Sequence, residues 1–156
     1  MSLLNNNFAF AQGASNYSYE SLTGRDGSNR IICHININDQ VYAPAAVDTG
    51  GIYLYCSPGL AEILAFDPQN KINRNPVPLG IGRYEGITYG DLYQVVLTLQ
   101  AEEGQNITIE VTAYIPTNRN DDDIFALLGF ERCLEQIRFA IDPPNLLFYF
   151  GSINTT

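Results

Sequence analysis

The residues best placed to do chemistry are Asp48-Thr49-Gly50, a triplet that occurs once in the 156-residue chain and is followed by a second glycine, Gly51. The apolar run 41–47 reads as a strand that delivers Asp48 into a tight, glycine-permitted turn. Residues 52–55 (Ile-Tyr-Leu-Tyr) then resume strand character. A carboxylate at the tip of a buried loop is costly unless it is hydrogen-bonded or used for chemistry. The triplet alone is a weak signal, and its surroundings decide its worth.

Other reactive groups are sparse. The single histidine, His34, adjoins Cys33 on an expected strand, so the two side chains point to opposite faces. That arrangement fits an ordinary strand histidine better than a Cys/His catalytic pair. Cys33, Cys56 and Cys133 show no CxxC spacing and are odd in number. They read as reduced, mostly buried thiols of a cytosolic protein, so a cytoplasmic location is expected. Asp121-Asp122-Asp123 lacks EF-hand spacing and reads as a solvated loop. No ligand cluster has a recognised metal spacing, and no metal or cofactor is expected.

Composition narrows the classes further. The hydrophobic fraction of 46% and charged fraction of 16% fit one globular domain with a real core. A net charge of −9 argues against nucleic acid and anionic membrane surfaces as partners, since both need clustered Lys and Arg. No apolar run is long enough to span a membrane. Ala9-Phe10-Ala11 resembles a cleavage site, but Asn5-Asn6-Asn7 interrupts any preceding apolar region, so no signal peptide is expected.

The elements that must position Asp48 are mainly strands. Residues 1–28, rich in Asn, Ser, Gly and Ala, read as a mobile N-terminal arm with a short strand near Tyr17-Ser18-Tyr19. Residues 30–37 and the strand after Asn38-Asp39 form a hairpin leading into Asp48. Ser57-Pro58 caps a short helix reaching about Leu64. Gly80, Gly82, Gly86 and Gly90 puncture a β-type sequence over 79–99, and a further strand covers 106–114. The apolar run 124–128 stops at Gly129. Residues 130–137 then read as a helix with Cys133, Leu134 and Ile137 on one face. A terminal hairpin turns at Pro143-Pro144-Asn145. Strands far outnumber helices, which makes the domain mainly β.

In that order the motifs resemble a retropepsin-like aspartic protease, the single-domain kind of retroviruses and of bacterial and ubiquitin-linked cellular relatives. Ala46-Val47-Asp48-Thr49-Gly50 resembles the catalytic loop. Residues 79–92, from Leu79-Gly80-Ile81-Gly82 to Gly90-Asp91-Leu92, resemble the flap that closes over substrate. Leu127-Leu128-Gly129, with Ile141-Asp142 and residues 147–151, resembles the family's Leu-Leu-Gly motif, helix and final strand. The likeness spans about 30–151. It implies a closed acid-protease β-barrel with a glycine-rich flap hairpin and one short C-terminal helix. A domain at 29–151 follows, with a tail at 152–156. One departure is Gly51, where the family usually has Ala, Ser or Thr.

The resemblance also implies roles. Asp48 would act with a second carboxylate on one water, the pair sharing a proton because two adjacent carboxylates cannot both ionise cheaply. The chain has no second such triplet, so the dyad requires a two-fold homodimer. By resemblance, Thr49 would hydrogen-bond across the axis and Gly50 would permit the loop. Gly51, Gly80, Ile81, Gly82 and Leu127 would contact substrate, with Ile81 and Gly82 near the flap tip. The N-terminal arm and residues 146–150 would be candidates for an intersubunit sheet, or plain core. The substrate would be an extended peptide bound as an added strand. Competing readings are a catalytically silent dimerisation or peptide-binding relative, and a small β-barrel in which the triplet is only a turn.

Overall fold

The computed structural model describes residues 10–23 and 28–153. The first hairpin follows directly from its turn. β3 (Arg30–Ile37) and β4 (Val41–Asp48) pair antiparallel from Ile37 opposite Val41 to Ile32 opposite Ala46. Asn38, Asp39 and Gln40 lie between them: Asn38 and Asp39 both hold φ 54°, a left-handed conformation that Asn and Asp tolerate best, and Gln40 N closes the turn on Ile37 O at 3.0 Å. Asn38 also fixes this corner to its neighbour strand: its N–H donates to Val96 O and its Oδ1 accepts from Val96 N, both at 2.8 Å.

Four further strands complete a closed barrel: β5 (Leu54–Cys56), β7 (Thr88–Leu99), β9 (Ile107–Pro116) and β10 (Ala126–Gly129). The strand order is β3-β4-β10-β5-β9-β7, and β7 pairs back onto β3 through Ile35 opposite Leu99 and Ile37 opposite Leu97. β2 (Ser18–Glu20) extends this sheet beside β3, and β6 (Val77–Leu79) extends it beside β7. Alternation sets the faces: in β7, Tyr93, Val95, Leu97 and Leu99 are buried while Gln94 and Val96 face out. The core gathers Ile35, Ile37, Leu54, Leu97, Val111 and Leu128 with Leu134, Phe148 and Phe150. Each such side chain contributes roughly 1.5–3 kcal/mol on burial.

The one α-helix among the described residues, α1 (Pro58–Leu64), is where Ser57-Pro58 predicts it. Ser57 Oγ accepts from Leu60 N, and Ala65 closes the helix in the left-handed conformation. A second, four-stranded sheet has the order β11-β12-β1-β8, from β11 (Ile137–Asp142), β12 (Leu147–Ser152), β1 (Gly13–Asn16) and β8 (Glu103–Gly104). The expected terminal hairpin is β11 and β12, with Pro143–Asn145 as its turn.

Two expectations are corrected. Residues 13–16, assigned to a mobile arm, form β1, and Ala11, Ala14 and Tyr17 are buried. The short strand expected near Tyr17-Ser18-Tyr19 is found as β2. Residues 1–9 and 24–27 of that arm lie outside the described residues. The helix expected over 130–137 is a turn followed by a three-residue 3-10 helix, Leu134–Gln136: Cys133, at φ −143° and ψ −82°, leaves helical geometry, and Cys133 N and Gln136 N bond three residues back, to Phe130 O and Cys133 O. The terminal strand β12 lies between β11 and β1 of its own chain, in keeping with the plain-core reading of residues 146–150. Phe148 and Phe150 on it are core residues.

Candidate active site

Asp48 is the last residue of β4, and the strand that braces it comes from far along the chain. β10 runs parallel to β4, with Leu127 beside Ala46, Leu128 beside Val47 and Gly129 beside Asp48. On its other edge β10 runs antiparallel to β5, with Leu128 opposite Leu54. β10 therefore sits between the strand that enters the Asp48 turn and the strand that leaves it. Gly51 N closes the turn on Asp48 O at 3.0 Å. Gly129 N donates to Tyr53 O at 3.0 Å, Phe130 N to Gly51 O at 2.8 Å and Arg132 N to Ile52 O at 2.7 Å. The packing is close enough that a Cβ on Gly129 would stand 2.4 Å from Tyr53 O. A Cβ on Gly51 would stand 3.2 Å from Asp48 Oδ2, so the absence of a side chain there leaves the carboxylate uncrowded.

The Asp48 carboxylate is half-buried and has no hydrogen-bond donor among the described residues. It opens onto a cavity of about 560 Å³, the size of a small-ligand or peptide side-chain site. The walls bring together Gly50, Gly51, Gly80, Ile81, Gly82 and Leu127 from three separated segments. Thr49 does not line this cavity; it is exposed beside it. Gly80, Ile81 and Gly82 form the arm leaving β6, because Leu79 pairs with Thr88 and the loop 80–87 has its midpoint at Arg83 and Tyr84.

Sequence reasoning missed several wall residues: Leu22, Arg30, Tyr53, Tyr55, Arg83 and Phe125. The floor is aromatic. Tyr114 stacks against Tyr53 and Tyr55 at centroid distances of 5.7 and 6.2 Å, and Tyr55 meets Phe125 at 6.1 Å. The Tyr114 hydroxyl donates to Val77 O at 2.7 Å, tying this floor to the base of the 80–87 loop. The Tyr55 hydroxyl is buried without a partner at standard hydrogen-bond geometry, although the Tyr84 hydroxyl lies close to it. Burial, reinforced by Tyr84 and Asp121, raises its pKa well above the ordinary tyrosine value. The run of tyrosines at 53 and 55 was the available signal, since alternate residues of a strand share a face.

The segment expected to be a solvated acidic loop instead holds the 80–87 loop. Arg83 Nη2 donates to Asp123 Oδ2 at 2.7 Å and lies 4.0 Å from Asp121 Oδ2. The Tyr84 hydroxyl donates to Asp121 Oδ2. Arg119 donates to Glu85 O at 2.7 Å and to Thr88 Oγ1 at 3.0 Å, and its guanidinium sits over the Tyr84 ring at 4.7 Å. Burial of the Arg83 guanidinium opposes its charge, but Asp123, Asp121 and Tyr84 together outweigh it and raise its pKa. Burial and then Asp121 raise that of Tyr84.

Cys33, Cys56 and Cys133 are free, buried thiols away from the cavity. Among the described residues no helix is long and apolar enough to cross a membrane.

No protein-family model matches the chain, and no curated protein matches it in sequence. Solved structures do match. A retropepsin-like aspartic protease from Rickettsia conorii superposes with a TM-score of 0.54 at 19% identity, over 90% of this chain and 94% of that one. Basic 7S globulin from soybean superposes with a TM-score of 0.52 at 9% identity, over 91% of this chain and 50% of the globulin. This chain thus spans about half the length of the globulin. At these identities the likeness concerns the fold, and the fold is retropepsin-like.

Proposed function

We propose that the chain is an aspartic endopeptidase that hydrolyses peptide bonds in extended polypeptides, with Asp48 of two copies forming the reacting pair. The observation that carries this reading is the Asp48 carboxylate itself. It is held on a braced turn, free of hydrogen-bond donors among the described residues, and faces a cleft roofed by a glycine-bearing loop. A structural carboxylate in that position would be expected to have donors around it. The likeness to the Rickettsia protein supports the reading at the level of fold.

In this reading one Asp48 is ionised and takes a proton from water while its mate, protonated, donates to the scissile carbonyl oxygen. The water attacks the carbonyl carbon, and the resulting tetrahedral species collapses with a proton delivered to the leaving nitrogen. The chain contains one Asp-Thr-Gly, so the second carboxylate comes from a second copy related by a two-fold axis. The exposure of Thr49 and of Phe130, on either side of the braced turn, fits a surface that meets its own copy there. The 80–87 loop acts as the flap. The peptide adds as a strand between it and the floor formed by Gly50, Gly51 and Leu127, with Gly80, Ile81 and Gly82 offering backbone from above.

The test is cleavage of a mixed peptide library at mildly acidic and neutral pH, with wild type and Asp48→Asn compared at high protein concentration. Cuts made by wild type and absent from the variant are expected, favouring the acidic pH at which the pair holds its shared proton. No cuts from a confirmed dimer would replace this reading with a catalytically silent peptide-binding module.

A further inference from the structure

We infer that Arg30 is a specificity-determining residue that selects an acidic side chain at one position of the bound peptide. This rests on the proposed reading of the cleft as a peptide site. Among the described residues that line the cavity there are two guanidinium groups, Arg30 and Arg83, and one carboxylate, Asp48. The two cations are in opposite situations. Arg83 is consumed by its own chain, paired with Asp123 at 2.7 Å and near Asp121. Arg30, the first residue of β3, is half-buried and has no ion pair or hydrogen-bond acceptor for its side chain among the described residues.

The nearest candidate partner by register does not serve it. Glu20 lies directly opposite Arg30 in the β2–β3 pairing, but Glu20 is exposed, makes no ion pair within 4.0 Å among the described residues, and has Ser18 Oγ as its contact at 3.4 Å. A guanidinium carries five donors in a planar fork, and removing it partly from water without an acceptor is unfavourable. A carboxylate that meets the fork bidentately relieves this and is geometrically selective. The remainder of the chain works the other way. With a net charge of −9 it repels acidic peptides at long range, so acceptance of one has to come from a short-range cation inside the cleft. Asp48 cannot be that partner without losing its reacting role, and no contact between the two residues is present.

The experiment profiles the same mixed peptide library with wild type and Arg30→Glu. Both cleavage and capture of uncleaved peptide are read by mass spectrometry, and sedimentation reports the dimer. Wild type is expected to enrich Asp or Glu at one fixed position relative to the scissile bond. The enrichment should be about tenfold or more, as a charge-assisted hydrogen bond supports. Arg30→Glu is expected to enrich Lys or Arg at that same position. Cuts with no acidic enrichment, or an unchanged pattern in the variant, would overturn the assignment and leave the protease reading intact. So would a variant that loses the dimer and keeps its preference, because Arg30 would then serve the subunit contact. No cuts, yet capture of acidic peptides that Arg30→Glu abolishes, would overturn the protease reading and keep this one. Neither cuts nor capture would overturn both. Arg30→Met, which keeps most of the apolar stem, replaces Arg30→Glu if the charge reversal does not fold, and must then lose the acidic enrichment.

Discussion

Gly129 donates its N–H to Tyr53 O at 3.0 Å, and the same oxygen stands 2.4 Å from where a Cβ on Gly129 would be. One residue therefore sets both the hydrogen bond and the closest approach between β10 and the chain leaving the Asp48 turn. Gly129→Ala is expected to cost about 1–3 kcal/mol through forced backbone displacement. Gly80→Ala, where nothing lies within 4 Å of the added carbon, is expected to leave stability unchanged. Urea unfolding of the two variants beside wild type checks this, and equal midpoints for both would contradict it.

Ser57 joins α1 to the strand beside Asp48. Its Oγ accepts from Leu60 N at 3.3 Å and Phe125 N at 3.0 Å and donates to Asp123 O at 2.6 Å, while the side chain is fully buried. Ser57→Ala would leave two buried N–H groups, those of Leu60 and Phe125, without this partner and remove the donor to the part-buried Asp123 O. A loss of about 1–3 kcal/mol is expected in the same unfolding assay. A loss of a few tenths, as for a solvent-exposed cap, would show that these bonds are replaced.

The ties on the 80–87 loop are partly exposed, so they should govern local opening more than global stability. Asp121→Asn and Asp123→Asn are each expected to change the unfolding free energy by about 1 kcal/mol or less. Amide hydrogen exchange within 80–88 should nevertheless become faster, because Arg83 and Tyr84 lose charged acceptors. Unchanged exchange in that loop would mean that Arg119 and the β6–β7 pairing hold it alone.

Burial pushes the Cys33, Cys56 and Cys133 thiols up from 9.0 to about 12. All three should therefore resist an aromatic disulfide reagent at pH 8 in the folded protein and react once it is unfolded. The sign of the pH effect follows. Between about pH 9 and 12 the folded chain keeps protons that the unfolded chain releases. The contribution to stability is thus complete below pH 9 and is lost as pH rises through 12. Rapid labelling of the native protein at pH 8 would contradict the buried placement.

The parts legible in the sequence were those governed by local chemistry. Asn38-Asp39 announced a tight hairpin, and Ser57-Pro58 announced the start of α1. Asp48, Gly51, Ile81 and Leu127 were legible as motif positions, and the cavity brings them together. What stayed hidden depends on distant partners. Residues 13–16, Gly-Ala-Ser-Asn, have little strand propensity and form β1 because β12 and β8 flank them. The apolar residues of 130–137 imitate a helical face, but Cys133 leaves helical geometry and the bonds from Cys133 N and Gln136 N reach back three residues, not four. Asp121 and Asp123 read as solvated because their partners, Tyr84 and Arg83, are nearly forty residues away. Arg30 could be seen as a cation but not as one facing the cleft.

The central claim is that one active site needs Asp48 from two chains, and subunit mixing tests it most directly. Wild type and Asp48→Asn would be unfolded together, refolded at constant total protein, and assayed on a peptide that wild type cleaves. With equal amounts of each, random pairing leaves about one quarter of dimers with both carboxylates, so activity is expected to fall to about a quarter. A fall to about one half would mean that each chain acts alone, and undiminished activity would remove Asp48 from the chemistry altogether.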